Sequence, residues 1–322
     1  MIRTEQLTRD YGSGRGLSGL NLAVPKGKIF GYIGPNGAGK TTTIKMLCGL
    51  LQPTSGRAFI NGVEVLPKNS TRIKKMIGYM PDIFGVYDQM SVWEYLDFFG
   101  AAYHIPPKAR AARIHEVLEI TNAHHMLDYQ IASLSRGMHQ RIGLAKTMLH
   151  DPLVLILDEP ASGLDPHARI EMRKTIMRLR ELGKTILLSS HILPELASVC
   201  DLVGILEKGR LVAQGTVADI TRQIKENLEL RLTVDSDPAQ ALAVCQAFAG
   251  VAKATADENE LRLTFTGARA TIADLNAKLV MAGVRVLELK EEEANLEQVF
   301  LSVTGQAAAT PAPAAAPSSK KK

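Results

Sequence analysis

Gly34-Pro35-Asn36-Gly37-Ala38-Gly39-Lys40-Thr41 decides how this 322-residue chain is read. The stretch fits G-x-x-x-x-G-K-[ST]. It follows the apolar run Ile29 to Ile33, and Thr42 to Cys48 after it reads as a helix. Strand, loop and helix are the setting in which backbone N–H groups converge on a phosphate, helped by the partial positive charge of the helix N-terminus. In such a loop Lys40 reaches the β- and γ-phosphates, and the Thr41 hydroxyl holds Mg²⁺. The phosphate-binding set runs without a gap from Gly34 through Thr42. At average residue usage a chain of this length expects on the order of 0.01 matches by chance, so phosphate binding is the first functional expectation.

Composition bounds the rest. The chain is long enough for two domains, and its 46 % apolar residues can bury a sizeable core. No run is apolar and long enough to predict a membrane span, and Met1 to Glu5 does not read as a signal segment. Three scattered cysteines give neither a disulfide framework nor a metal spacing, which points to a reducing, cytoplasmic setting. The net charge is +5. It is spread as a mildly basic front piece, an acidic second piece and a terminal lysine run. That balance suits a nucleotide or an anionic surface but is too weak for nucleic acid.

The front piece, 1–219, opens with β-like runs at 2–9 and 18–24. Asn61-Gly62 after Ala58 to Ile60 signals a hairpin. Ser91-Val-Trp-Glu94 is a capping box for a helix through Tyr103. Further helices are expected from Pro107 to Thr121, from Ser135 to His150, and from Asp165-Pro166 through Leu182, with proline in the first turn. Val154 to Leu157 and Thr185 to Leu188 read as buried strands. Strands alternating with helices predict an α/β fold with a parallel sheet. The second piece, 220–305, alternates strand and helix over 228–234, 238–248, 250–256, 261–266, 270–282, 284–290 and 293–303. Apart from the last helix this is the split βαβ order of a small α+β domain. Residues 306–322 are rich in Ala and Pro, end in lysines, and are expected to be disordered.

Chemistry gathers after the phosphate loop. Leu153 to Leu157 is an apolar strand ending in Asp158-Glu159. Phosphoryl transfer needs positioning and charge neutralisation. Asp158 can hold Mg²⁺ through water, and Glu159 can polarise the attacking water. Leu134-Ser135-Arg136-Gly137-Met138 places an N-cap and a glycine at a second helix start suited to an anion.

Taken in order, the phosphate loop, Leu-Ser-x-Gly, the Asp158-Glu159 strand end, Ser162-Gly-Leu-Asp165 and His191 resemble the ATP-binding cassette family over residues 2 to about 218. The resemblance implies a P-loop NTPase cassette with a mixed sheet core and a helical subdomain. It also implies an ATPase using ATP and Mg²⁺, with two copies sandwiching two nucleotides. Ser135 and Gly137 would bind the γ-phosphate held by the second copy, Asp165 would join the two sites, His191 would contact the γ-phosphate, and Tyr11 would stack on adenine. Lys40, Glu159 and His191 form the implied catalytic set. Two departures stand out. Asp82 occupies the family's glutamine position and can still offer Mg²⁺ an oxygen. Arg136 and Met138 stand where the commonest signature has Gly and Gln. Six of the chain's aromatics lie between Phe84 and Phe99, in the subdomain that receives the membrane partner in this family. The segment Leu296 to Gly305 is similar to the end of an accessory domain on drug- and polymer-type exporters.

The expected protein is therefore the cytoplasmic ATPase subunit of an exporter, peripheral on the inner membrane face through a separate integral permease, with no nucleic acid partner. The rival is a soluble cassette acting on ribosomes or DNA. Such proteins usually fuse two cassettes or carry coiled-coil insertions, and this chain shows one cassette without them. A GTPase would want an Asn-Lys-x-Asp motif, and none is present.

Overall fold

The computed structural model describes residues 1–291 except 13–14, 84, 86, 193–195, 197 and 225–227. The expected helix 293–303 and the tail 306–322 lie outside the described residues. The chain divides into two compact units, Met1–Ile220 and Thr221–Lys322.

The first unit is built on two sheets. One is antiparallel and five-stranded, from β1 (Ile2–Asp10), β2 (Gly16–Leu20), β3 (Ala23–Val24), β5 (Ser55–Ile60) and β6 (Val63–Glu64). The other runs β11-β10-β4-β9-β8-β7, from β4 (Ile29–Ile33), β7 (Ile77–Met80), β8 (Val154–Leu157), β9 (Thr185–Ser190), β10 (Leu202–Glu207) and β11 (Arg210–Gly215). Its strands are parallel except β11, which turns back on β10. Every residue of β4, β8 and β9 is buried, and helices cover strands of this kind on both faces, which is why they read as unbroken apolar runs. Helix α1 (Lys40–Leu47) lies in the core that the two sheets share. Its Ile44, Met46 and Leu47 pack with Leu7, Leu20 and Ile60 of the antiparallel sheet and with Phe30, Ile156 and Leu187 of the parallel one. Each fully buried Leu or Ile contributes about 1.5–3 kcal/mol by transfer from water, so the phosphate loop starts from a stiff base.

The Asn61-Gly62 hairpin is as read. Both residues adopt left-handed backbone, φ 46° and 77°, and Ile60 pairs with Val63 across them, which matches a type I′ turn. The run expected at 18–24 is two strands. Buried Thr4 intervenes: its hydroxyl donates to Leu20 O at 2.8 Å and accepts from Leu22 N at 2.8 Å, taking the place of ladder bonds. Helix α2 (Ser70–Met76) and the β10–β11 hairpin were not read from sequence.

Helices α3 (Val92–Ala102), α4 (Pro107–Ile120) and α5 (Arg136–Met148) pack on one another as a helical lobe. The capping box is formed in full: Ser91 Oγ accepts from Glu94 N at 3.2 Å, and Glu94 Oε2 accepts from Ser91 N at 2.8 Å. Ser91→Ala removes one half of it, costing about 1 kcal/mol. Amide exchange in the first turn of α3 should quicken about fivefold; unchanged exchange there would show that packing alone holds the turn. Helix α6 (Pro166–Glu181) follows β8, and α7 (Val217–Ile224) follows β11.

The second unit orders its strands β13-β14-β12-β15, from β12 (Leu228–Val234), β13 (Val251–Asp257), β14 (Glu260–Phe265) and β15 (Val286–Glu291), with α8 (Pro238–Gln246) and α9 (Ile272–Met281) between them. Alternate residues Leu230, Leu232 and Val234 of β12 and Leu261, Leu263 and Phe265 of β14 share a core with Ala241, Cys245, Leu275 and Leu279 of the helices. That puts both helices on one face. Each βαβ unit is split by a strand of the other, as the segment order implies.

Candidate functional site: a nucleotide cleft

β4 ends at Ile33, and the loop from Gly34 to Gly39 turns the chain into α1. A Cβ at Gly34 would stand 2.5 Å from the Leu206 carbonyl oxygen of β10, so only glycine fits there. Gly39 caps α1 at φ 108°, a left-handed conformation that L side chains avoid. Lys40 is buried, and its Nζ donates to Gly34 O at 2.6 Å and sits 3.2 Å from Glu159 Oε1. The loop thus folds around its own ammonium.

Parallel pairing of β8 with β7 and β9 brings the acids to the same mouth. Thr41 Oγ1 donates to Asp158 Oδ2 at 3.0 Å. Ser189 of β9 holds both acids: its Oγ donates to Asp158 Oδ1 at 2.6 Å and accepts from Glu159 N at 2.9 Å. Glu159 takes left-handed backbone, φ 51°, turning its carboxylate back over Lys40. The ring nitrogen Nδ1 of His191 lies 2.9 Å from Glu159 Oε2. Asp82, just past β7, completes the rim. Its carboxyl is pushed above the ordinary range, first by burial and then by the charges of Glu159 and Asp158, while Arg136 and His191 oppose the rise. Asp82 Oδ1 is buried and has no hydrogen-bond partner among the described residues.

The cleft measures about 550 Å³ and is lined by Tyr11, Arg15, Gly16, Pro35, Asn36, Gly37, Gly39, Lys40, Thr41, Thr42, Asp82, Asp158, Glu159 and Lys208. The sequence-predicted residues Gly34 and Ala38 lie in the loop but behind this lining. Tyr11 is 53 % exposed, under the Arg9 guanidinium at 5.0 Å. Ser135, Gly137 and Asp165 do not line the cleft. Ser135 caps α5 by accepting from Met138 N at 3.4 Å, and Asp165 caps α6 by accepting from Ala168 N at 2.9 Å. Sequence reasoning missed Ser189, Arg15, Gly16 and Lys208. Two serines closing a buried apolar strand were a signal for the first; nothing near Lys208 in sequence points at the cleft.

The ABC transporter family model matches residues 17–162. Linearmycin resistance ATP-binding protein LnrL of Bacillus subtilis is 32 % identical over 95 % of this chain and 99 % of its own length. The chain belongs to the ABC transporter family. Bacitracin transport ATP-binding protein BcrA of Bacillus licheniformis is 36 % identical over 95 % of this chain and 97 % of its own. A solved structure described as the ATP-binding subunit of an ABC transporter shares 32 % identity at TM-score 0.62, over 69 % of this chain and 92 % of that one. This ABC chain is an ATP-binding subunit and a transporter-type ATPase. Among the described residues no helix is long and apolar enough to cross a membrane.

Proposed function

We propose that the protein is the ATPase subunit of an exporter. It works as a dimer that clamps two ATP molecules and drives a separate integral permease from the cytoplasmic face of the membrane. Residues 1–219 form the ATPase and 220–305 an accessory domain. The observation that carries the catalytic part is the line of contacts Lys40–Glu159–His191 beside Thr41–Asp158. A cation for the phosphates and a carboxylate for the attacking water line one cleft, and an imidazole that orients that carboxylate stands 2.9 Å from it, off the lining. Tyr11 offers the ring for adenine. Thr41, Asp158 and Asp82 make an all-oxygen donor set, and Oδ1 of Asp82, which has no hydrogen-bond partner among the described residues, is a hard donor, which fits Mg²⁺. Bound there, the cation supplies neutralisation of phosphate charge.

The dimer reading is supported by where Ser135, Gly137 and Asp165 sit. Ser135 and Gly137 open α5, the second anion-suited helix start, and Asp165 caps α6; all three lie off the chain's own cleft, where a second copy would meet them. Drug-type cargo is supported by the relatives' names, resistance to one antibiotic and transport of another.

The permease is expected on the aromatic face of the helical lobe. Tyr95 is core, and Trp93 is half-buried against His115. Tyr87 and Phe98 are 49 % and 45 % exposed, edge to face at 5.5 Å. Aromatic anchors often carry about 2 kcal/mol or more of an interface. Tyr87→Ala and Phe98→Ala should therefore weaken co-purification with an integral membrane protein from detergent extracts, leaving the isolated subunit's ATPase rate intact. Capture of ribosomal proteins or DNA, with no membrane protein, would replace the exporter reading with the soluble rival.

A further inference from the structure

A second hollow adjoins the cleft. It measures about 400 Å³ and shares Arg15, Gly16 and Lys208 with it. Its other walls come from the end of β1, from β2 and from the start of β11, and they bring in Arg9, Asp10, Ser18 and Arg210. Four cations thus line it with one acid. Asp10 is already engaged, its Oδ1 accepting from Gly12 N at 2.7 Å. Lys208 stands 3.6 Å from Glu207, which is not in the lining. Among the described residues Arg9, Arg15 and Arg210 have no ion-pair partner. A concave surface lined by one sign of charge concentrates the opposite ion. The backbone under these side chains is tightly packed. A Cβ on Gly16 would stand 1.8 Å from Arg9 O. The turn after β10 takes left-handed backbone at Lys208 and Gly209, φ 45° and 76°. Ser18 N donates to Gly209 O at 2.8 Å, and Gly209 N donates to Ala38 O at 2.9 Å, so this turn joins the hollow to the phosphate loop. The hollow lies at the Tyr11 end of the cleft, where Tyr11 N donates to Arg15 O at 3.1 Å. ATP bound as proposed above has its phosphates at Lys40 and Thr41 and its base at Tyr11. The four cations therefore sit beside the nucleoside, where ATP carries no charge.

We propose that this hollow is an anion subsite that takes a second phosphate group beside the nucleoside end of the bound nucleotide. Arg15, Lys208 and Arg210 hold it by charge-assisted hydrogen bonds. The phosphate has two possible sources, the ribose of the nucleotide itself or a separate inorganic anion. Arg15 and Lys208 line both spaces, so an anion held here is felt at the nucleotide. The proposal rests on the ATP-site reading above.

Arg210 is the residue to change, because it lines the hollow and not the cleft. The full-length wild type, Arg210→Ala and Arg210→Glu are loaded with radiolabelled ADP, which is then displaced by adenosine 5′-monophosphate or by adenosine 3′,5′-bisphosphate. The wild type should prefer the bisphosphate about tenfold, and the preference should shrink with added salt. Arg210→Ala should weaken the preference and Arg210→Glu should bring it within about twofold, while ADP affinity holds within about threefold in both. In a second arm inorganic pyrophosphate is titrated calorimetrically into the ADP-saturated chain. Saturable binding of one pyrophosphate that Arg210→Glu abolishes, with no preference for the bisphosphate, would assign the subsite to a separate anion. Neither signal in the wild type, or signals that Arg210→Glu leaves unchanged, would overturn the subsite. A folded wild type that does not bind ADP would instead remove the nucleotide reading, and this proposal with it.

Discussion

Lys40→Ala should lose at least about two orders of magnitude in ATP affinity. The Lys40 ammonium is the cation enclosed by the phosphate loop, and charge-assisted hydrogen bonds contribute roughly 1.5–3 kcal/mol each. Two such bonds to phosphate oxygens are worth 100-fold or more at about 1.4 kcal/mol per tenfold. The same substitution strips Gly34 O and Glu159 Oε1 of their partner. Some thermal stability should go as well, since a buried carboxylate is left without its cation. Affinity and melting temperature are therefore measured together, by titration with a fluorescent ATP analogue and by calorimetry. Unchanged affinity in a folded variant would remove the phosphate loop from the mechanism. Restored affinity on adding free alkylammonium would confirm that the missing group is the charge.

Local rules made part of this protein readable. The phosphate loop needs only its own glycines and the strand and helix on either side. The capping box at Ser91 and Glu94 and the turn at Asn61-Gly62 are likewise written within a few residues, and the buried strand Val154–Leu157 is recognised by its unbroken apolar run. What was not readable depends on contacts far apart in sequence. Thr4 splits the strand expected at 18–24 because its hydroxyl reaches Leu20 and Leu22 from a neighbouring strand. Ser189 anchors both Asp158 and Glu159 because β9 runs parallel to β8. Lys208 reaches the cleft because β10 pairs with β4. Pairing of that kind is set by the whole sheet, and no residue near Lys208 announces it. The division of labour among the aromatics was also out of reach, since Tyr95 and Tyr87 look alike in sequence while one is buried and the other exposed.

Glu159→Gln should keep ATP binding, lose turnover by about 10²–10⁴ and accumulate an ATP-bound dimer. The amide has the shape of the carboxylate, so the left-handed turn at residue 159, the bond from its backbone N–H to Ser189 and the packing around it persist. Its oxygen can still accept from Lys40 or His191, but it no longer carries the charge that draws a proton from water. Glu159 also restrains Lys40 at 3.2 Å, and ATP must take that ammonium from it. Neutralising the side chain weakens the competitor, so affinity should hold or rise as the rate falls. If Ser135 and Gly137 of a second copy close the site, a chain that binds ATP and cannot cleave it stays closed, and size-exclusion chromatography with Mg-ATP should show a dimer that ADP does not support. Turnover near the wild-type rate would take the general base away from Glu159. A monomer under every nucleotide, with turnover lost, would leave the base in place and remove the composite site.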